Sequence, residues 1–344
     1  MSVTIATAMF IAFAVAYLVL PRLIEFLKLS GMVGIDVQKI EKPKIAEMGG
    51  PAVVVGFLIG IFAFIGARVF LYDLKADIVM VKILVSISTI LIVVLIGMFD
   101  DLGRLIKKKI KKDVFGNIKR IGLKQWQKPL FTLPAAIPLM AILAGNTVLY
   151  LPVIGPVDLG ILYPLLIVPL AIVGASNATN MLAGLNGLEA GLGTVTLGSI
   201  GIFALIIGEI PAASIALIFA AGLFAFLLYN KYPAKIMPGD SLTYAIGAVI
   251  ATAAIIGNME RFVAFLFLPW FIEFALKARS RFKAQSFGIL QKDGSLKSKY
   301  DKIYSLTHIF MHGHNTESGI VYKLVGLQIL LCILGFALFF LKII

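Results

Sequence analysis

Long apolar runs alternate with short polar intervals along the whole chain, and the runs exceed what soluble helices need. A helix of roughly 17 to 25 apolar residues crosses a bilayer. On that measure the runs near 3–24, 51–71, 81–99, 127–145, 160–177, 190–208, 212–229, 241–257, 262–278 and 319–342 predict about ten transmembrane helices. Pro134, Pro138 and Pro164 fall inside runs and predict kinks whose freed carbonyls neighbouring helices satisfy. The expected fold class is an all-α polytopic integral membrane protein, a single domain over 1–344, with loops near 25–50, 100–126, 178–189, 230–240 and 279–318. The first run has no basic residue before it and no small-residue cleavage pattern, so it reads as a retained span rather than a signal peptide.

Composition agrees with this class. The chain is 60% hydrophobic and 14% charged, and its mean hydropathy is +0.99, far outside the range of soluble domains. The single cysteine, Cys332, lies in the last run and excludes an internal disulfide. The net charge of +13 is unevenly spread. Loops after odd-numbered spans carry Lys39, Lys42 and Lys44, the run from Arg104 to Lys128, Lys231 and Lys235, and the stretch Lys277 to Lys302. Loops after even-numbered spans carry little. The positive-inside rule then puts both termini outside and the basic loops in the cytosol. The expected membrane is the cell membrane of a prokaryote or the endoplasmic reticulum of a eukaryote. A basic face of this kind attracts anionic lipids and phosphorylated ligands; nucleic acid is not an expected partner. The sequence carries no mark of oligomeric state, and a homodimer is compatible with it.

The polar residues that break the apolar pattern gather on the cytosolic side. Between the fifth and sixth spans runs Asn177-Ala-Thr-Asn180-Met-Leu-Ala-Gly184-Leu-Asn186-Gly-Leu-Glu189-Ala-Gly191. A helix leaving a bilayer ordinarily meets Lys, Arg or aromatic residues, not amides interleaved with glycines. Glycine lets backbone approach a ligand, and Asn both donates and accepts. The third span ends on Asp100-Asp101, two carboxylates at the negative end of a helix dipole, which require a nearby cation. Solvated pairing with Arg104 and Lys107 to Lys109 competes there with a magnesium- or proton-handling role. Lys128 opens the fourth span, where a snorkelling lysine would be ordinary. Asp240, in Met237-Pro-Gly-Asp240-Ser241, reads in isolation as a helix N-cap. Asp36 and Glu47, in Gly34-Ile-Asp36-Val-Gln-Lys39 and Ile45-Ala-Glu47-Met-Gly-Gly50, read alone as parts of a solvated loop.

The last long loop is basic and ends in His308-Ile-Phe-Met-His312-Gly-His314. Without cysteine or close carboxylates these make a weak zinc pattern. Hydrogen-bond donation to phosphate by the three His, with Arg279 and Arg281, is the stronger functional reading, against interfacial His at a helix end as the ordinary one. Hard oxygen and amide ligands, several cations and one membrane face together point to phosphate chemistry with Mg²⁺.

In this order the clusters resemble the polyprenyl-phosphate N-acetylhexosamine-1-phosphate transferases. Asp36 with Glu47, Asp100-Asp101, Lys128, Asn177 to Gly191 and Pro238-Gly-Asp240-Ser241 carry the likeness along most of the chain. Bacterial members read Asn-x-x-Asn-x-x-Asp-Gly-x-Asp-Gly in the central motif, whereas Ala183 and Asn186 stand at its two aspartate places here. That departure resembles the eukaryotic and archaeal branch. That branch moves GlcNAc-1-phosphate from UDP-GlcNAc onto dolichyl phosphate, releases UMP, and opens lipid-linked oligosaccharide assembly. The resemblance implies Asn180 and Asp240 as ligands of Mg²⁺, with Mn²⁺ as an alternative, and Lys128 on the diphosphate. It places Asp100 and Asp101 as the acids that orient or deprotonate the attacking lipid phosphate. Gly184 and Asn186 would face the uracil, Asp36, Glu47, Asn177 and Glu189 would support the substrate, and Arg279, Arg281 and His308 would read the sugar side. Rival readings are a bacterial-type undecaprenyl-phosphate transferase and, from another class, a secondary transporter or lipid flippase. The transporter expects its polar residues at the bilayer midplane, and the absence of an internal repeat weighs against inverted halves.

Overall fold

The computed structural model describes residues 2–74, 77–107, 126–151 and 155–343. Thirteen α-helices hold most of the chain among these residues: α1 Ser2–Leu29, α2 Gly50–Tyr72, α3 Ile78–Lys107, α4 Gln127–Thr132, α5 Ile137–Ala141, α6 Val168–Thr179, α7 Leu188–Ile207, α8 Ile210–Asn230, α9 Gly239–Ile256, α10 Glu260–Leu266, α11 Leu268–Arg279, α12 Leu306–Met311 and α13 Glu317–Phe340. Seven of them, α1, α2, α3, α7, α8, α9 and α13, are long and apolar enough to cross a membrane. The protein is therefore a helical polytopic membrane protein.

The remaining three predicted runs are helical but interrupted, and proline explains each interruption. The run 127–145 divides into α4, a 3₁₀ turn over Leu133–Ala136 that contains Pro134, and α5 with Pro138 in its first turn. Proline lacks the N–H that the preceding turn requires. The run 160–177 begins as a π-helical turn over Tyr163–Ile167 around Pro164 and then continues as α6. The run 262–278 breaks at Phe267, ahead of Pro269, into α10 and α11. There the buried Gln328 of α13 donates from Nε2 to the Leu266 carbonyl at 3.0 Å, satisfying a group that the break frees inside the bundle.

α9 is the axis, buried along nearly its whole length, with α3, α6 and α8 against it. α1 and α2 pack through small residues. Ala8, Ala12 and Ala16 recur every four residues on one face of α1, opposite Gly56 and Gly60 of α2. A Cβ built on Gly60 would lie 2.7 Å from the Ala8 carbonyl oxygen, so the two backbones touch there. In lipid, where tails are as apolar as side chains, such close contact is what holds helices together.

Short strands, absent from the sequence expectation, close the polar end. β1 (Val33–Ile35) runs antiparallel to β2 (Lys44–Glu47). Beyond the β3–β4 hairpin (Val148–Leu151 with Gly155–Asp158), β5 (Ile236–Met237) pairs parallel to β2, matching Glu47 with Met237. β6 (Gly288–Leu290) and β7 (Leu296–Ser298) form a hairpin in the last loop. The loops at 30–49, 180–187, 231–238 and 280–316 all meet at this pole. The opposite pole carries the β3–β4 hairpin and both chain ends; Arg261 there donates to the Ile343 carbonyl at 2.9 Å and lies over the Tyr150 ring.

Candidate active site

A cavity of about 1020 Å³ opens at the polar pole. Its floor is the start of α9. Gly239 has φ +72°, and a Cβ on it would sit 2.6 Å from Asp101 Oδ2, so the turn into α9 admits only glycine at that point. Pro238 is the N-cap residue, and Asp240 lies inside the first turn. The capping acceptor comes from another helix. Asp101, at the end of the transmembrane part of α3, accepts the Asp240 N–H at 2.7 Å on Oδ1 and the Ser241 N–H at 3.0 Å on Oδ2. The negative end of α3 is thus set against the positive end of α9, which offsets the two dipoles. Asp240 is thereby released from the capping that its sequence context suggests.

Lys128 supplies the cation that Asp100 requires. Its Nζ lies 2.8 Å from Asp100 Oδ2 and 2.6 Å from Asp240 Oδ2, and 5.6 Å from the Tyr244 ring centroid. Asp100 and Asp240 are both buried. A lysine between two buried carboxylates on different helices is an organised charge cluster, not a snorkelling side chain. Of the alternative cations, Lys108 and Lys109 and the side chains of Arg104 and Lys107 lie outside what the structure describes.

Next to this cluster Thr243, one helical turn along α9 from Asp240, donates to Asn180 Oδ1 at 3.1 Å. Thr179 donates to the Thr243 carbonyl at 2.7 Å, holding the end of α6 against α9. Asn177 donates from Nδ2 to Thr132 Oγ1 at 3.2 Å and to the Val173 carbonyl at 2.8 Å, which ties α6 to α4 just beyond Lys128. Asp240, Asn180 and Thr243 all line the cavity and offer carboxylate, amide and hydroxyl oxygens, the hard donors that Mg²⁺ and Mn²⁺ take. Among the described residues no group of three or more His, Cys, Asp or Glu is arranged to hold a metal. This donor set therefore fits a cation that completes its shell with phosphate and water.

The other end of the cavity is built from the 181–187 loop, the loop between β1 and β2, and the 284–287 segment that leads into β6. Asn186 is its hub: Nδ2 donates to Asp36 Oδ2 at 3.1 Å, Oδ1 accepts the Ala234 N–H at 2.9 Å, and its own N–H goes to Glu317 Oε1 at 2.7 Å. Lys39 bridges Asp36 at 3.2 Å and Glu317, the first residue of α13. Glu189 Oε1 accepts the Gly184 N–H at 2.7 Å. Gly184 has φ +105°, and a Cβ there would lie 2.5 Å from Phe287 Cε1, so the Phe287 ring rests on bare backbone. Glu47, at the end of β2, also lines the cavity.

Three residues of the last loop fare differently. Arg281 lines the cavity, whereas Arg279 and His308 do not. Arg279 is exposed at the end of α11. His308 is fully buried; Nδ1 accepts the Tyr304 N–H at 3.3 Å and Nε2 contacts the Gln285 carbonyl at 2.9 Å. A ring that accepts on Nδ1 and donates from Nε2 is neutral, and burial lowers its pKa further. In this position it braces the loop. The same loop is strapped to α11 by Glu273, which accepts the Leu306 N–H at 2.7 Å and Ser305 Oγ at 3.1 Å and pairs with Lys277 at 3.6 Å. Lys277 in turn donates to the Ala284 carbonyl and Ser286 Oγ.

Sequence reasoning did not single out Thr243, Gln38, Glu317, Lys277 or Phe287. Thr243 could have been found, since it stands three residues after Asp240 on one helix face. Gln38, Glu317 and Phe287 owe their place to partners far along the chain, whereas the partners of Lys277 are Glu273, Ala284 and Ser286, close by in sequence. One rim of the cavity is apolar: Trp126, Pro129 and Phe274 line it, and Trp126 and Phe274 are exposed, together with Leu130 and Phe131 on α4.

The chain is similar to known proteins. Residues 83–258 match the family described as glycosyl transferase family 4. A relative from Saccharolobus solfataricus is 33% identical over 328 residues, 94% of each chain, and carries the provisional name UDP-N-acetylglucosamine–dolichyl-phosphate N-acetylglucosaminephosphotransferase. One from Sulfolobus acidocaldarius, with the same provisional name, is 35% identical over 96% of this chain and 95% of its own. A phospho-N-acetylmuramoyl-pentapeptide-transferase from Shouchella clausii is 35% identical over 48% of this chain and 49% of its own.

Proposed function

The chain belongs to glycosyl transferase family 4, and from that premise we propose that it transfers GlcNAc-1-phosphate from UDP-GlcNAc to dolichyl phosphate with release of UMP. The names of the two full-length archaeal relatives support this substrate pair. The observation that carries the chemistry is Lys128 held between Asp100 and Asp240 beside the amide oxygen of Asn180, at the floor of one cavity.

The reaction joins a lipid phosphate oxygen to the sugar-bearing phosphorus while the bridging bond to the UMP phosphate breaks. A lipid phosphate monoester is largely ionised at neutral pH, so direct in-line attack places little demand on a base. The protein's tasks are then positioning and neutralisation of charge. Lys128 presents its ammonium to the diphosphate. Asp240 and Asn180 would hold Mg²⁺ or Mn²⁺, which when bound neutralises charge developing on the phosphoryl oxygens. Asp100 keeps Lys128 charged and aimed, and Asp101 keeps the start of α9, and so Asp240, in register. The apolar rim at Trp126, Pro129 and Phe274 suits the polyprenyl chain, which would enter from the bilayer along α4 and α11.

On this reading the three interrupted helical regions are membrane passes like the seven long helices, giving ten. With an even number, both termini share a side. The positive-inside rule assigns that side to the exterior and the cavity to the cytosol, where UDP-sugars are made. The step is the opening one of lipid-linked oligosaccharide assembly. A homodimer is compatible with this function and not required by it.

The test is UMP release by purified protein supplied with UDP-GlcNAc, dolichyl phosphate and Mg²⁺. Release that needs all three, and stops with EDTA, is the expected result. Release that prefers undecaprenyl phosphate would move the protein to the bacterial-type reaction. Folded protein that releases no UMP from any nucleotide sugar and polyprenyl phosphate would overturn the transferase reading.

A further inference from the structure

Gln38 occupies a place that the chemistry above does not use. It sits in the loop between β1 and β2, is 2% exposed, and is held by local turns: its N–H reaches Asp36 Oδ1 at 3.4 Å, the Asp36 N–H reaches the Pro43 carbonyl at 3.0 Å, and the Lys42 N–H reaches the Lys39 carbonyl at 3.2 Å. Its carboxamide faces outward from that loop in two directions. Nε2 donates to the Gly184 carbonyl at 3.2 Å, and Oε1 accepts the Gly288 N–H at 3.2 Å. A single side chain therefore joins two loops that are 104 residues apart in sequence, from Gly184 to Gly288.

Those two loops are the walls of one end of the cavity. Gly184 is fixed on both sides of its backbone, its N–H by Glu189 and its carbonyl by Gln38. Phe287 immediately precedes the Gly288 amide that Gln38 accepts, and its ring rests on Gly184. A second tie runs beside it, from Ser286 Oγ to the Met181 carbonyl at 3.3 Å. The separation of backbone and ring across this end is thus set by hydrogen bonds rather than by loop packing alone.

The cavity's other parts have claimants under the proposed function. The Lys128, Asp240 and Asn180 end suits the diphosphate, and the Trp126, Pro129 and Phe274 rim suits the lipid. What remains of the donor is its nucleoside and its sugar; an aromatic ring against bare backbone, with amides beside it, suits a flat base, as the resemblance implies for Gly184, and the Arg281 side is left to the sugar. We infer that Gln38 is a positioning residue for the donor nucleotide, setting the spacing of Gly184 and Phe287 that bounds the nucleoside end. This rests on the transferase reading and adds a determinant of donor affinity separate from the reacting groups.

The test is steady-state UMP release by the full-length protein in detergent, with each substrate varied at saturating levels of the other. Gln38→Ala and Gln38→Met are compared with the unaltered chain; Met keeps the buried volume and removes only the amide. Both variants should raise KM for UDP-GlcNAc about tenfold, because binding must then re-order two walls that Gln38 holds in place beforehand. KM for dolichyl phosphate and the Mg²⁺ requirement should stay within about twofold. Gln38→Glu, which can accept from Gly288 but cannot donate to Gly184, should not restore donor affinity. An unchanged donor KM in Gln38→Met, or equal rises in both KM values, would overturn the inference. An unaltered chain that releases no UMP would instead fail the proposed function itself.

Discussion

Lys128, Asp100, Asp101 and Asp240 carry four different duties within a few ångströms. Lys128 and Asp240 face the cavity, Asp100 holds Lys128, and Asp101 spends both carboxylate oxygens on the backbone of α9. Single substitutions should separate these duties. Lys128→Ala should lower UMP release about 100-fold or more, as expected for loss of a charge-stabilising donor, while Lys292→Ala on an exposed hairpin tip should leave the rate unchanged. Asp240→Asn should lose rate on the same scale, about 100-fold, with the thermal midpoint in detergent little altered. Asp101→Asn should show both effects: roughly 1 to 2 kcal/mol less stability, from a weakened charge-assisted cap, and a slower reaction because Asp240 loses its register. If Asp101→Asn lowered only the rate, Asp101 would belong with the reacting groups.

Several of these residues were legible in the chain before any fold was known. Asp100, Asp101, Asn180 and Asp240 stand out because a polar side chain at the end of an apolar run is costly and therefore conspicuous. The resemblance also implied metal ligation for Asn180 and Asp240; what the chain did not show is how Asp100 and Asp101 divide their contacts. Asp240 reads as a cap in its own sequence, and only the approach of α3 transfers that role to Asp101.

Among the helices, packing and pH supply the tests. Gly60→Leu should place side-chain atoms into the Ala8 backbone and cost about 2 kcal/mol or more by overpacking. Gly66→Ala on the same helix meets only Phe70, at 4.0 Å, and should be neutral. Thermal unfolding of the two variants in one detergent distinguishes them. The last loop should be pH-sensitive through His308. Its pKa is lowered by burial below the ordinary value of 6.5, so the folded loop resists a proton that the unfolded chain accepts. Stability is therefore full above about pH 6.5 and declines as pH falls below it toward the folded pKa. His308→Gln should flatten that decline between pH 7.5 and 5. An equal decline in the variant would assign it to another group. The broken helices at 127–141 and 260–279 mark the limit of hydropathy as a guide: an apolar window reports the solvent around a segment, not whether its backbone stays continuous.

For the molecule as a whole, sidedness is the remaining expectation. The single native cysteine is buried, so Lys292→Cys at the cavity pole and Asp158→Cys at the opposite pole should each give one accessible thiol. An impermeant maleimide added to sealed right-side-out vesicles should label Asp158→Cys and spare Lys292→Cys. The reverse pattern would place the cavity outside.

The chain by itself determined the class of protein, the approximate membrane segments and most of the polar residues worth watching, because hydropathy and the cost of burying charge act locally and leave their mark in consecutive residues. The tertiary structure decided which of those residues meet. Gln38, Glu317 and Phe287 look ordinary in sequence and gain their roles from partners more than a hundred residues away. Lys128 becomes an ammonium between two carboxylates only when α3, α4 and α9 converge. Hydrogen bonds and ion pairs depend on distances of a few ångströms, and over such separations along the chain only the fold sets those distances.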